Sequence, residues 1–163
     1  MNIFYLSFDH EVCAHEMVDK HVVKMILEYC QLLSTAHRVL DGDQASPKLY
    51  KATHVNHPSA KWVRQSDCNY VWLLNMLYVL LGEYTYRYKK THKCSELIPE
   101  LKMIPMNIPI GKFTEPTPAM PDEFKVPGNS VASYRRYYLA KKSDMFYWKG
   151  REVPKWVLRN VVH

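Results

Sequence analysis

Two long stretches of this chain, residues 11 to about 40 and 66 to about 91, repeat their apolar side chains at helical spacing. They leave little room for any architecture other than packed helices. Projected at about 100° per residue, the first stretch separates two stripes. Lys20, Lys24, Glu28, Gln31, Thr35 and Arg38 form a wet side, and Val18, Val22, Ile26, Tyr29, Leu33 and Ala36 a buried one. The Asp41-Gly42-Asp43 turn signal ends it. The second stretch is apolar nearly all round from Val71 to Leu81, which suits a helix at the centre of a core. Only 5 of the 163 residues are glycine, which argues against a turn-rich β architecture.

Shorter elements follow from local signals. His57-Pro58 opens a short helix running to Arg64, since proline fits the first helical turn. Residues 95–102 form another, interrupted by Pro99. Asn129 is a good N-cap for a third main helix reaching about Lys142, and Pro154 opens a last turn through Val161. Residues 2–6 read as a short strand or an extended arm. Six prolines make residues 103–128 a long, stiff loop, and loops of that length are more often functional than mere connectors. The expected fold is all-α. A single domain over residues 1–163 has three main helices, short extra helices, an extended N-terminal arm and a long Pro-rich loop.

The bulk numbers bound the setting. Hydrophobic residues at 47% and charged ones at 23% suit an ordinary globular chain with one core. The longest apolar stretch, residues 70–82, is too short to span a bilayer, so no membrane partner is expected. The N-terminus has no basic n-region and no signal peptide. Cys13, Cys30, Cys68 and Cys94 lack C-x-x-C spacing and read as reduced thiols of an intracellular protein, in a host cytoplasm or a nucleus.

Charge is concentrated at the end. Residues 125–163 hold nine Lys or Arg against two acids, a net of +7, whereas the whole chain is +6. Aromatics interleave with that charge, so the segment can neutralise phosphates and offer rings to bases. The alternative is a solvated helix over core aromatics. Arg135, Arg136, Lys141, Lys142, Lys149 and Arg151 are the candidate phosphate ligands, with Tyr147 and Trp148 as stacking rings.

Chemistry-bearing groups also fall where apolar residues would be cheaper. His15, Asp19 and His37 sit on the buried stripe of the first long helix, and Asn69, Glu83 and Arg87 on a packed stripe of the second. His15 and Asp19 are one turn apart, and Glu83 and Arg87 can pair. These polar groups are either ties between helices or a site. Asn56, His57, Arg64, Ser66 and Asn69 gather at a helix junction, where capping by Ser66 and anion binding are both open. His54 and His57 are three apart, but no H-E-x-x-H, C-x-x-C or paired acids accompany them, so neither a metal nor a cofactor is expected.

The most specific motifs are Met120-Pro121-Asp122-Glu123-Phe124-Lys125 and Phe146-Tyr147-Trp148-Lys149-Gly150, with His15 and Met17 at the front. In these and in its layout the chain resembles the phage-type pyrimidine-dimer DNA glycosylases with AP-lyase activity, the endonuclease V type. That family has a Pro-x-Glu-Phe-Arg segment and a Trp-Tyr-Lys-Tyr-Tyr-Gly tail that contacts DNA. His21 stands where it has a DNA-contacting Arg. The resemblance implies a monomer acting on a damaged or modified base in duplex DNA, through an α-amine that attacks the sugar C1′ and forms a Schiff base. Two positions depart from the pattern. The family exposes a small second residue after loss of Met, whereas Asn2 leaves the α-amine of Met1, or a lysine, as the nucleophile. The family's catalytic Glu aligns with Val22, and Asp19 with His15 is the nearest substitute. Two further readings stay open. One is a non-catalytic nucleic-acid-binding protein of the same fold. The other is a small nucleotide-processing enzyme with a pocket lined by His15, Asp19, His37, Arg64, Asn69, Glu83 and Arg87.

Overall fold

The structure, a computed structural model, describes residues 1–161. It is all-α, with seven helices and no strand among the described residues. The stretch expected to be one helix from residue 11 to 40 is two, α1 (His10–Glu16) and α2 (Asp19–Asp41), with Met17 and Val18 extended between them. Neither residue breaks helices by nature. The break is stabilised from elsewhere, by a side chain of the central helix α4 (Asp67–Tyr88), which packs on both.

That side chain is Arg87, 2% exposed and with every N–H of its guanidinium used. Nε donates to Glu83 Oε2 at 2.7 Å, and Nη1 to Met17 O at 2.8 Å and Asp19 Oδ1 at 2.9 Å. Nη2 donates to Ala14 O at 3.2 Å and His15 O at 3.1 Å. The last carbonyls of α1, which a helix end leaves without partners, are therefore satisfied by a residue some seventy positions away. Glu16 O is taken by the Trp148 indole N–H at 2.7 Å. With its end so capped, α1 can stop, and α2 sets off in a new direction. Around Glu83, burial acts to raise the carboxyl, but hydrogen bonds from Arg151 and Arg87 outweigh it and keep it below the usual carboxylate range.

Residues 2–6 form the arm, not a strand. Ile3, Phe4, Tyr5 and Leu6 are all core residues. Their backbone groups pair with side chains instead of a neighbouring strand: the Tyr29 hydroxyl donates to Ile3 O, and Arg135 Nε donates to Leu6 O at 2.9 Å. The arm runs between α2 and α6 (Ser130–Lys141), where the Phe4 ring meets Tyr134 and Tyr138 edge-on. Asn129 caps α6 by accepting from Ala132 N–H at 2.9 Å, and Ser66 caps α4 by accepting from Asn69 N–H at 3.1 Å, as their positions predict.

The remaining helices are α3 (Pro58–Val63), α5 (Ile98–Leu101) and α7 (Lys155–Val161). The Pro-rich loop is tied to the N-terminus of α4: Thr114 N–H donates to Asn69 Oδ1 at 2.9 Å, and Asn69 Nδ2 donates back to Thr114 Oγ1 at 3.0 Å. No helix among the described residues is long and apolar enough to cross a membrane.

Replacing Arg87 by Met leaves two carboxylates and three carbonyls without their donor in a dry site. Loss of one partner of a buried charge network costs about 3–5 kcal/mol, and urea unfolding should show it. Arg87→Lys should recover little, because an ammonium cannot replace five N–H groups in a fixed plane.

A candidate active site at the N-terminus

The wet stripe of α2 is interrupted, with Gln31 and Arg38 half-buried. Lys20 and Lys24 are exposed, but Glu28 and Thr35 are buried. Thr35 is covered by the loop before α3, its Oγ1 accepting from Thr53 N–H at 3.2 Å. Glu28 is covered by the first residue of the arm. The Met1 α-ammonium lies 3.4 Å from Glu28 Oε1, and Lys24 Nζ lies 3.7 Å from Oε2. The side chains of Met1 and Glu28 are 4% and 11% exposed, with Met1 as a whole half-buried and Lys24 at the wet edge of the pair.

Two cavities meet on that pair. The smaller, about 190 Å³, is bounded by Met1, Asn2, Phe4 and His21 from below and by Tyr137 and Lys142 of α6 and its end from above. The larger, about 580 Å³, runs past Val23, Leu27 and Gln31 to His54, His92, Lys93 and Cys94. Both include Lys24 and Glu28. Val23 and Leu27, about 40% exposed each on the outer face of α2, give the larger one an apolar wall.

Each wall is set by the fold. Asn2 is fixed by Nδ2 donating to Ala119 O at 2.9 Å, while its Oδ1 accepts from Ile3 N–H at 2.8 Å. Phe4 has a φ of 55°, a left-handed conformation rare for an aromatic residue, and its ring stacks on His21 at 4.1 Å. His21 Nδ1 meets the Tyr138 hydroxyl at 2.6 Å. Burial, then the positive charges of Lys142 and Lys24, push His21 down to about 3, so it is a neutral ring at ordinary pH. His57 lies behind the site. Burial lowers it first, and the N-terminal ammonium and His54 lower it further. Its Nδ1 accepts from Ser59 N–H at 3.0 Å, capping α3.

The residues singled out in the sequence divide into separate groups. Met1, His21 and Lys142 are at this site. His15, Asp19, Glu83 and Arg87 are together elsewhere, in the network that ends α1: His15 Nε2 is 3.7 Å from Glu83 Oε1, and Asp19 Oδ1 also accepts from Lys149 N–H at 2.9 Å. His37 is in another place, its Nε2 donating to the Tyr70 hydroxyl, which donates on to Leu101 O. Asn69 is committed to the Pro-rich loop. Arg64 donates to Val55 O at 2.8 Å, beside a hollow with Asn56, Pro58 and Lys61. The small-molecule pocket drawn from His15, Asp19, His37, Arg64, Asn69, Glu83 and Arg87 is therefore not one cavity.

The C-terminal stretch also divides. Trp148 is a buried residue that donates to α1, so it has no free face for a base. Arg135 binds the arm, and Arg151 makes paired bonds to Glu83 at 3.0 and 2.9 Å. Arg136, Lys141, Tyr147 and Lys149 are exposed, and Lys142 borders the smaller cavity.

Glu28 is the residue that sequence reasoning missed. Lys24 and Glu28 have the i,i+4 spacing of an ordinary surface ion pair, and nothing local distinguishes it from one. The available signal was non-local: an apolar arm drawn into the core brings the N-terminal amine onto α2, where an anion can meet it.

His21 makes stability depend on pH. It is neutral when folded, with its ordinary value near 6.5 regained on unfolding, so the unfolded chain binds the extra proton. The contribution is fully present above about pH 6.5 and is lost as pH falls from there towards 3, with a slope of up to about 1.4 kcal/mol per pH unit. Thermal unfolding followed from pH 7 to 4 should show this loss, and His21→Phe should flatten it.

Residues 1–96 match the family model for pyrimidine dimer DNA glycosylase. No curated protein and no solved structure matches the chain. The matched segment contains Met1, Lys24, Glu28, His54 and His92, and stops before the basic C-terminal stretch. On the strength of that match, which spans more than half its length, the chain belongs to the pyrimidine dimer DNA glycosylase family.

Proposed function

We propose that this protein removes a damaged pyrimidine from duplex DNA and then cleaves the strand, with the α-amine of Met1 as nucleophile and Glu28 as its carboxylate partner. Family membership makes the chain a DNA-repair glycosylase with DNA as its substrate. The observation that carries the finer reading is the Met1–Glu28 pair at the meeting point of two cavities. An amine and a carboxylate in contact, at cavities open to a substrate, are what imine chemistry on a sugar requires.

The steps follow from those two groups. The amine in its neutral form attacks C1′ of the damaged nucleotide. The N–C1′ bond forms, and the bond from C1′ to the base breaks, its electron pair leaving with the base, which takes up a proton. Opening of the sugar ring places the C1′–O4′ pair on O4′, which is protonated, and the enzyme-bound carbon becomes an iminium. Glu28 then removes a proton from C2′. That pair forms the C2′=C3′ double bond, and the C3′–O bond breaks with its electrons on the phosphate. Water hydrolyses the imine and restores the amine.

Access to C1′ requires taking the nucleotide out of the stack, at a cost of a few kcal/mol that is smallest for a damaged base. The apolar wall of Val23 and Leu27 suits an extruded base. Lys142 at one cavity and Lys93 at the other suit flanking phosphates, and the exposed Arg136, Lys141 and Lys149 extend that charge. Asp19 and His15, the substitutes suggested by the sequence, are committed to Arg87 and Glu83 and are not given a chemical step.

End-labelled duplexes carrying one cyclobutane pyrimidine dimer, or one abasic site, test the reading. The native protein should cleave both. Glu28→Gln, which keeps the shape, should lose about 10²- to 10⁴-fold in single-turnover rate while binding the duplex within a few-fold of native. A Glu28→Gln protein as fast as native would remove Glu28 from the chemistry.

A further inference from the structure

The histidines of the larger cavity have no part in the steps just described. His54 and His92 line it together with Lys93, in the same cavity as Met1 and Glu28. His92 caps the 3-10 turn Lys93–Leu97, its Nδ1 accepting the Cys94 N–H at 3.1 Å. That bond leaves the ring proton on Nε2, and the edge of Tyr84 at 4.9 Å fixes the ring plane. The exposed His54 ring has its Nδ1 at 2.8 Å from Thr53 Oγ1. The residue has a φ of 49°, a left-handed backbone that is strained for a non-glycine residue and tends to persist where function needs it. Two imidazoles thus line a cavity that also carries a lysine.

Charge identifies the ligand. Among the residues lining this cavity Lys24 pairs with Glu28, and Lys93 has no carboxylate partner. An ammonium so placed suits an anion. The His92 Nε2–H, with a second imidazole and a flexible ammonium beside it, is the chemistry that recognises a phosphate oxygen.

We infer that His92, with His54 and Lys93, holds the phosphodiester that departs from C3′ when the strand is cut, making His92 a further catalytic residue that acts at elimination and not at base removal. This rests on the reading of Met1 and Glu28 as the imine-forming pair. As the C3′–O bond breaks, its electron pair collects on a phosphate oxygen, and the His92 Nε2–H donates a hydrogen bond to it. A donor placed where charge develops contributes to the rate of that step alone.

Two substitutions separate this role from the helix cap. His92→Asn keeps a side-chain acceptor for the cap but has no donor at the Nε2 position. His92→Gln has a donor there and caps poorly. With an abasic duplex, borohydride trapping reads imine formation and gel mobility reads strand cleavage. His92→Asn should trap within about 3-fold of native and cleave on the order of 10- to 100-fold more slowly, and His92→Gln should recover most of the cleavage. The reverse order, Asn native-like and Gln impaired, makes His92 a structural cap and overturns the inference. So does an equal loss in both steps. A second reading needs no turnover: titration with inorganic phosphate, followed by the ring resonances of His54 and His92, should saturate in the native protein and weaken in His92→Asn. No shift at either ring overturns the phosphate site even if trapping succeeds. Absence of any trapped adduct in the native protein, with those shifts present, counts instead against the Met1 reading.

Discussion

The guanidinium of Arg87 joins three parts of the chain that otherwise have no reason to stay together. It ends α1 by taking carbonyls of its last turn, and it binds Asp19 at the start of α2. It also steadies Glu83, which in turn receives Arg151 from the C-terminal segment. Five donors in one rigid plane can do this where a lysine cannot. Burying that much charge is costly, and the arrangement is sustained only because each N–H and both carboxylates have partners. The direction of α2, and hence which of its residues pass beneath the N-terminal arm, follows from this one side chain.

From that direction comes the site. The arm is apolar from Ile3 to Leu6 and is drawn into the core between α2 and α6, which leaves its first residue at the surface of α2 beside Glu28. The buried Glu28 carboxylate needs a cation there, and the amine supplies it. The same arm positions Phe4 against His21 and brings Lys142 to the cavity edge, so the basic segment meets the candidate chemistry only at its helical end. Much of the rest of that segment is structural. Trp148, Arg135 and Arg151 close the fold, while Arg136, Lys141, Tyr147 and Lys149 remain on the surface.

The sequence made legible what is local. The helical periods, the caps at Ser66 and Asn129, the proline at the start of α3 and the extended arm all express preferences of a few neighbouring residues. The break at Met17 and Val18 was not legible, because periodicity continues across it and its cause lies on another helix. Glu28 was hidden by the same limit. A helical projection assigns faces as if each helix stood in water, and it cannot know that an arm will cover one position of the wet stripe. The buried ionisables that the projection did mark, Asp19, Glu83 and Arg87, were marked for a sound reason, since they needed partners; they found them in one another. Composition likewise could not tell a tryptophan that stacks on a base from one that caps a helix.

The account turns on which amine forms the bond to the sugar. Borohydride trapping on an abasic duplex, followed by protease digestion and mass spectrometry of the DNA-linked peptide, reads that directly. The account predicts the adduct on the α-nitrogen of the first residue, in the peptide ending at the first cleavage site after Met1. An adduct on the ε-nitrogen of Lys24, or on any lysine of the basic C-terminal segment, would contradict it.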